Sequence, residues 1–308
     1  DFKAAVDRLL PGLRGGAGEA APAAEEERPT VPPERAAQLL ERVITIYAKG
    51  FAEVPEGRAY LERRGISDAG LFTKYRVGYC NGRLAELLPK GNDVRNELRE
   101  LGVFLDAHST SSGLKGHERF TGCVVFPVQD ADGNLTTLYG RFTGESQKRH
   151  VFLPDRSTGL WNASAMKTYP DLILVEAVID ALSVMMAGQP NVLAIQGTNG
   201  LNDAELAILR EHGVHTLTLL LDGDAAGQTA AERLKEKVSS SFSCRVLTLP
   251  GGHDPNSFLV EHGPQKLAEF ITTNLAAGSE KKLPEVRANG GDERTPPVLS
   301  TGKIFALA

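Results

Sequence analysis

Residues 219–227, Leu219-Leu220-Leu221-Asp222-Gly223-Asp224-Ala225-Ala226-Gly227, decide how this chain is read. An apolar run delivers two acidic residues, one apart, onto a glycine-flanked turn. The following residues, Ala225 to Val238, have helical periodicity. Side chains alternate along a strand with period two, so Asp222 and Asp224 can point the same way at its end. Two carboxylates held together repel, and a divalent cation with few protein ligands offsets that repulsion. The other reading of the same residues is a strand-to-helix loop with an aspartate at the helix cap.

Working outward, the strand–turn–helix pattern repeats. Strands are expected over Leu172–Val175, Asn191–Ile195, Thr216–Leu221 and Arg245–Leu249. Helices are expected after the first strand to about Ala187, then over Asp203–His212, Ala225–Val238 and Pro264–Thr273. Four β/α units predict an α/β fold with a mainly parallel sheet covered by helices on both faces. Ligands of such sheets bind beyond the carboxyl ends of the strands. Glu176 follows the first strand, Asp222 and Asp224 the third, and Asp254 the fourth, in Gly251-Gly252-His253-Asp254-Pro255-Asn256. Asp180 lies four residues after Glu176, one helical turn on. No Lys or Arg interrupts these turns, so the five acids form a candidate metal site. Gly197-Thr198, after the second strand, is a candidate nucleotide-facing loop, with a tight turn as its alternative.

Upstream, Leu39, Leu40, Val43, Ile44 and Tyr47 recur at helical spacing within a helical region from about Glu34 to Leu101. Cys123–Val128 and Leu135–Arg141 read as strands of a hairpin closed by Asp130–Asn134, and Arg149–Leu153 as a third strand. The expected organisation is a short helix and linker over 1–33, a mixed α+β basic subdomain over 34–168, the metal-binding domain over 169–275, and a tail over 276–308. The 308 residues suffice for two cores, and a net charge of −5 excludes a chain that is basic throughout while permitting a local basic groove. Three scattered cysteines, Cys80, Cys123 and Cys244, offer no metal-ligand spacing. They predict no zinc in this segment and a reducing, cytoplasmic setting. No apolar stretch reaches membrane-spanning length. The sequence opens on Asp1 rather than Met, which leaves the true N-terminus open.

In order, Glu176-Ala177-Val178-Ile179-Asp180, Asp222-Gly223-Asp224-Ala225-Ala226-Gly227 and Asp254-Pro255-Asn256 resemble the TOPRIM domain of bacterial DnaG-type primases. Tyr60-Leu61-Glu62-Arg63-Arg64-Gly65-Ile66, Arg76-Val77-Gly78-Tyr79, Glu118-Arg119-Phe120, Val125-Phe126-Pro127-Val128 and Gly140-Arg141 resemble segments of that family's N-terminal core. The resemblance runs from about Ala36 to Ile271. It departs at Ala177, where the family has Gly, and at Asn256, where the family has an acid. Asp1–Leu10 resembles the tail of the zinc-binding module that precedes the core in the family.

The resemblance implies a primase core that makes short RNA primers on single-stranded DNA. It assigns Glu176 to acid/base work or metal organisation. Asp222, Asp224, Asp180 and Asp254 would hold about two Mg²⁺ or Mn²⁺ ions. The partners it implies are a single-stranded DNA template, nucleoside triphosphates and a replicative helicase reached through regions at or beyond the end of the chain, in a bacterial, phage or plasmid-encoded cytoplasmic protein. An acidic site needs a basic neighbour to hold DNA. Arg141 and Arg149 are the foremost candidates, with Lys148 and Arg119 beside them and Arg58, Arg63, Arg64 and Arg76 further off. Two other classes stay open: a nuclease or topoisomerase on the same metal platform, and a non-catalytic accessory that binds single strands.

Overall fold

The computed structural model describes residues 31–88, 93–105, 117–144, 150–154, 159–197 and 201–278. The expected first helix, most of the N-terminal linker and most of the tail therefore lie outside the described residues, as do Lys148, Arg149 and Thr198.

Helix α1 (Pro33–Glu53) starts with proline at its first position, where the missing N–H costs nothing. It buries Leu39, Leu40, Val43, Ile44, Tyr47 and Phe51, which recur every three or four residues. Short helices follow: α2 (Pro55–Arg63), α3 (Ala69–Lys74), α4 (Leu84–Leu87) and α5 (Asp93–Glu100). Asp68 caps α3 by accepting from the amides of Gly70 and Leu71. Among these helices runs a two-residue strand, β1 (Gly78–Tyr79), absent from the all-helical expectation for this region. It is held by antiparallel pairing with β2 (Cys123–Gln129), a non-local partner that local periodicity does not reveal. Strands β3 (Leu135–Phe142) and β4 (His150–Phe152) complete an antiparallel sheet in the order β1-β2-β3-β4.

The second sheet contains β5 (Asp171–Val175), β6 (Val192–Ala194), β7 (Thr216–Leu219) and β8 (Ser243–Val246). All its pairings are parallel, in the order β6-β5-β7-β8. The intervening helices are α6 (Val178–Met186), α7 (Asp203–Glu211) and α8 (Ala225–Val238), and α9 (Pro255–Gly278) follows β8. Strand residues alternate between two cores. Ile173, Val175, Val192 and Ala194 pack with α6 and α9, while Leu172, Leu174, Leu193 and Leu217 pack with α7 and α8. The helices thus cover both faces, as the repeated β/α pattern requires.

The boundaries of β8 and α9 differ from the sequence expectation. β8 begins two residues early, at Ser243, and ends at Val246, because its ladder partner β7 stops at Leu219. α9 starts at Pro255 and is broken at Gly263 (φ 82°), so Gly263-Pro264 marks a kink within a longer element. Asp254 explains the early start: its Oδ1 accepts from the Ser257 amide, capping a helix whose first residue is proline.

The two sheets share one hydrophobic cluster. Phe51, Tyr60, Leu61, Phe126 and Tyr139 from the first half join Val178, Leu182, Phe258 and Leu259 from the second. Trp161 sits within it, 4.5 Å from the Tyr75 ring and bridged through its backbone to Ala194. This continuous packing sets the acid-bearing edge of the parallel sheet against β3 and β4.

Candidate active site

Strand β5 connects to β6 on one side, and β7 connects to β8 on the other. The winding therefore reverses between β5 and β7, the crevice where parallel sheets bind ligands. Glu176 and Asp222 stand just past the carboxyl ends of these two strands. The Gly197 amide donates to the Glu176 carbonyl at 3.1 Å, continuing the ladder and bringing Gly197 beside it.

The turn after β7 is built by close approach. A Cβ on Gly227 would lie 2.2 Å from the Asp222 carbonyl oxygen, and one on Gly223 would lie 2.8 Å from the His253 carbonyl oxygen. Only glycine permits these contacts. The Gly223 amide donates to the His253 carbonyl at 3.0 Å, tying the Asp222 turn to the Asp254 loop. Asp224 caps α8 by accepting from the Gly227 amide at 2.7 Å. It is exposed at the rim, outside the wall of the central cavity, where its charge still acts on Glu176 and Asp222.

A cavity of about 410 Å³ opens at this edge. Glu176, Asp180, Asp222 and Asp254 line one side, and Arg64, Arg141, Tyr139 and His150 line the other. Burial pushes the Glu176 carboxyl up; a backbone N–H of Asp222 works against that, and the charges of Asp224 and Asp254 add to the rise. Asp222 is pushed from 3.8 to about 6, by burial first and then by the charges of Glu176, Asp254 and Asp224. Among the described residues, no lysine or arginine forms an ion pair with any of the five acids.

Asp180 is placed differently from the expectation of one helix face shared with Glu176. α6 begins only at Val178, so Glu176 belongs to the strand end. Asp180 is buried, accepting from the Ala177 and Asn256 amides, each at 3.3 Å. Burial raises its carboxyl well above the ordinary range, and the charges of Asp254 and Asp222 raise it further.

Asn256, where the resemblance led one to expect an acid, is 1% exposed and fully engaged. Its Oδ1 accepts from the Arg64 guanidinium at 3.0 Å. Its Nδ2 donates to the Arg64 carbonyl at 2.8 Å and to Ser183 Oγ at 2.9 Å. It acts as a tie between the two halves, and an amide can both accept and donate there. Sequence reasoning placed Arg64 among the remoter basic residues, and a contact across 192 positions is what brings it to the cavity. Gln196, also on the cavity wall, went unnoticed; it holds a left-handed backbone (φ 55°) beside Gly197.

Arg141 and His150 are cross-strand neighbours on β3 and β4. The Arg141 guanidinium contacts the His150 ring and donates from Nε to the Tyr60 hydroxyl at 3.2 Å, while the Tyr139 hydroxyl meets His150 Nδ1 at 2.9 Å. These bonds fix the guanidinium at the cavity wall. Three of the other basic candidates, Arg119, Arg76 and Arg58, are engaged elsewhere. Arg119 donates to the Gly102 carbonyl, and Arg76 pairs with Glu41. Arg58 stacks over Phe51 and Phe72.

The donor set suits a hard divalent ion, since every acid on the cavity wall offers oxygen. Among the described residues, no three of the acids bring oxygens within 4.8 Å of one another. An ion here would thus take one or two carboxylates and complete its shell with water or phosphate, the habit of Mg²⁺.

Comparisons with known proteins agree with this architecture. Residues 47–162 match the family described as DNA primase catalytic core, N-terminal domain, and residues 173–259 match a Toprim-like family. The DNA primase of Pasteurella multocida is 26% identical over 262 residues, covering 78% of this chain and 44% of that protein. This chain thus spans less than half the length of that curated relative. The Aquifex aeolicus primase structure, with zinc-binding and RNA polymerase domains, is 27% identical with a TM-score of 0.66, covering 77% of this chain and 60% of that one. A DnaG primase catalytic domain bound to single-stranded DNA shares the fold at 20% identity and a TM-score of 0.61, covering 79% of this chain and 85% of that one. The two matched stretches lie in the same order as the two sheets, and together these comparisons support a DnaG-type primase core.

Proposed function

We propose that this chain synthesises RNA primers on single-stranded DNA by nucleotidyl transfer. The observation that carries the reading is the cavity itself: carboxylates that form no lysine or arginine ion pair among the described residues on one wall, and arginines held by hydrogen bonds on the other. Toprim primases are in general metal-dependent. We assign about two Mg²⁺ or Mn²⁺ ions to Asp222, Asp254 and Glu176, with Asp224 reaching from the rim. Bound there, the ions would neutralise charge on the phosphates and lower the cost of ionising the attacking hydroxyl.

In the reaction, the primer 3′-hydroxyl attacks the α-phosphate of the incoming nucleoside triphosphate. A new phosphodiester bond forms, the hydroxyl proton departs, and pyrophosphate leaves. Glu176 is half-buried, and burial raises its carboxyl above the ordinary range, so it holds a proton more tightly than a free carboxylate and is assigned to accept that proton. Asp180 serves as a positioning residue, because both of its oxygens hold main-chain amides. Arg141 and Arg64 bind phosphate, from template or triphosphate, across from the acids. Lys148 and Arg149 would extend the basic wall, and Gly197-Thr198 would border the nucleotide. A replicative helicase is the expected macromolecular partner, in the cytoplasm.

The DNA-bound catalytic domain of the same fold supports a single-stranded template. The test is a reaction with single-stranded template, labelled nucleoside triphosphates and Mg²⁺ or Mn²⁺. Primer products that vanish in Glu176→Gln support the reading. Template cleavage, or binding without turnover, would replace it with phosphodiesterase chemistry or an accessory role.

A further inference from the structure

Behind the Asp254 loop lies a second group of ligand-type side chains that the polymerase chemistry does not use. His253, Glu261 and His262 bring one ligand atom each within 4.8 Å of one another. His253 Nε2 is 3.4 Å from one Glu261 oxygen, and His262 Nε2 is 3.7 Å from the other. Ligands bound tetrahedrally at zinc distances stand about 3.3 Å apart, so these separations are close to those of a coordinated set.

A second observation concerns the orientation of His253. Ser257 Oγ lies 3.1 Å from His253 Nδ1, and its single hydroxyl proton is directed to the Asp254 carbonyl at 3.2 Å. With that proton on the carbonyl, the serine oxygen is free to accept from Nδ1–H, the arrangement that a metal ion on Nε2 requires. Hydrogen bonding of the distal ring nitrogen is how metal-binding histidines are oriented. Phe258 packs against both imidazoles, with ring centroids 5.8 Å from His253 and 4.4 Å from His262.

We infer that His253, Glu261 and His262 form a binding site for a first-row divalent ion of the zinc type, separate from the carboxylate site. Two imidazoles and one carboxylate favour Zn²⁺ or Co²⁺ over Mg²⁺, and the solvent side leaves the fourth position to water. The ion would clamp the loop before α9 to the last turn before its break at Gly263. The His253 carbonyl receives the Gly223 amide, so the clamp would also stiffen the turn that carries Asp222. This inference does not depend on the polymerase reading.

The test is calorimetric titration of the chelator-treated, tag-free chain with Zn²⁺ in excess Mg²⁺, paralleled by Co²⁺ absorption. The intact chain should bind Zn²⁺ and give the visible bands of tetrahedral Co²⁺. His262→Ala, exposed and free to fold, should abolish both. Ser257→Ala should weaken Zn²⁺ binding by about 10–100-fold, the usual effect of removing an orienting partner. Circular dichroism verifies that each variant folds. Absence of Zn²⁺ binding by the intact chain, or unchanged binding in His262→Ala, overturns the site.

Discussion

Asp222→Asn should make the metal-free protein more stable while disabling it. The Asp222 carboxyl rises from 3.8 to about 6 because it is half-buried beside Glu176, Asp254 and Asp224. Each pH unit of such a rise corresponds to about 1.4 kcal/mol of preference for the protonated form. The full rise would be about 3 kcal/mol, and solvent screening of a half-exposed group reduces it to about 1 kcal/mol. A raised carboxylate pKa means the folded state holds its proton more tightly than the unfolded state. Stability therefore falls as pH rises from about 4 to about 6, and the penalty persists at higher pH. Removing the charge should raise Tm by about 2–4 °C at pH 7.5 in chelator, with the difference vanishing near pH 4. Divalent ions reverse the order. At one hundred times its Kd an ion stabilises the parent by about 2.7 kcal/mol, whereas the variant should gain far less. Differential scanning fluorimetry at both pH values, with and without Mg²⁺ or Mn²⁺, reads all four states. A variant that is no more stable in chelator at pH 7.5, or that gains as much from the ion as its parent, refutes the reasoning.

Further expectations follow from the same geometry. Asn256→Ala leaves the buried Ser183 Oγ and the part-buried Arg64 carbonyl and guanidinium without this partner, and should cost about 1–3 kcal/mol by urea denaturation. Gly227→Ala forces a Cβ against the Asp222 carbonyl, and should cost about 1–3 kcal/mol and weaken Mn²⁺ binding measured by calorimetry. Arg141→Ala should weaken single-stranded DNA binding at every sequence tested and lower the salt slope by about one, measured by anisotropy over a salt series. An unchanged slope removes Arg141 from the DNA path.

The parallel sheet was legible because its strands are buried on both faces and read as near-continuous apolar runs such as Leu172–Val175 and Leu219–Leu221. The position of the acids at its edge followed from that pattern. Less was legible where a residue's role depends on the other half of the chain. Asn256 read only as a departure from an acid, and only its contacts with Arg64 and Ser183 show it to be a tie. Asp180 read as a member of the Glu176 face, because nothing local reveals that α6 starts at Val178 and turns Asp180 inward. The first two turns of α9 were hidden because Gly263-Pro264 reads as a helix start. That same misreading hid the proximity of His253 to Glu261 and His262.

Diffraction from crystals soaked in Mn²⁺ addresses the central claim most directly. The account predicts an anomalous peak in the cavity within bonding reach of an Asp222 oxygen and at least one of Glu176 and Asp254. Saturating Mn²⁺ that leaves this cavity without a peak, its carboxylates satisfied by protein donors, would contradict it.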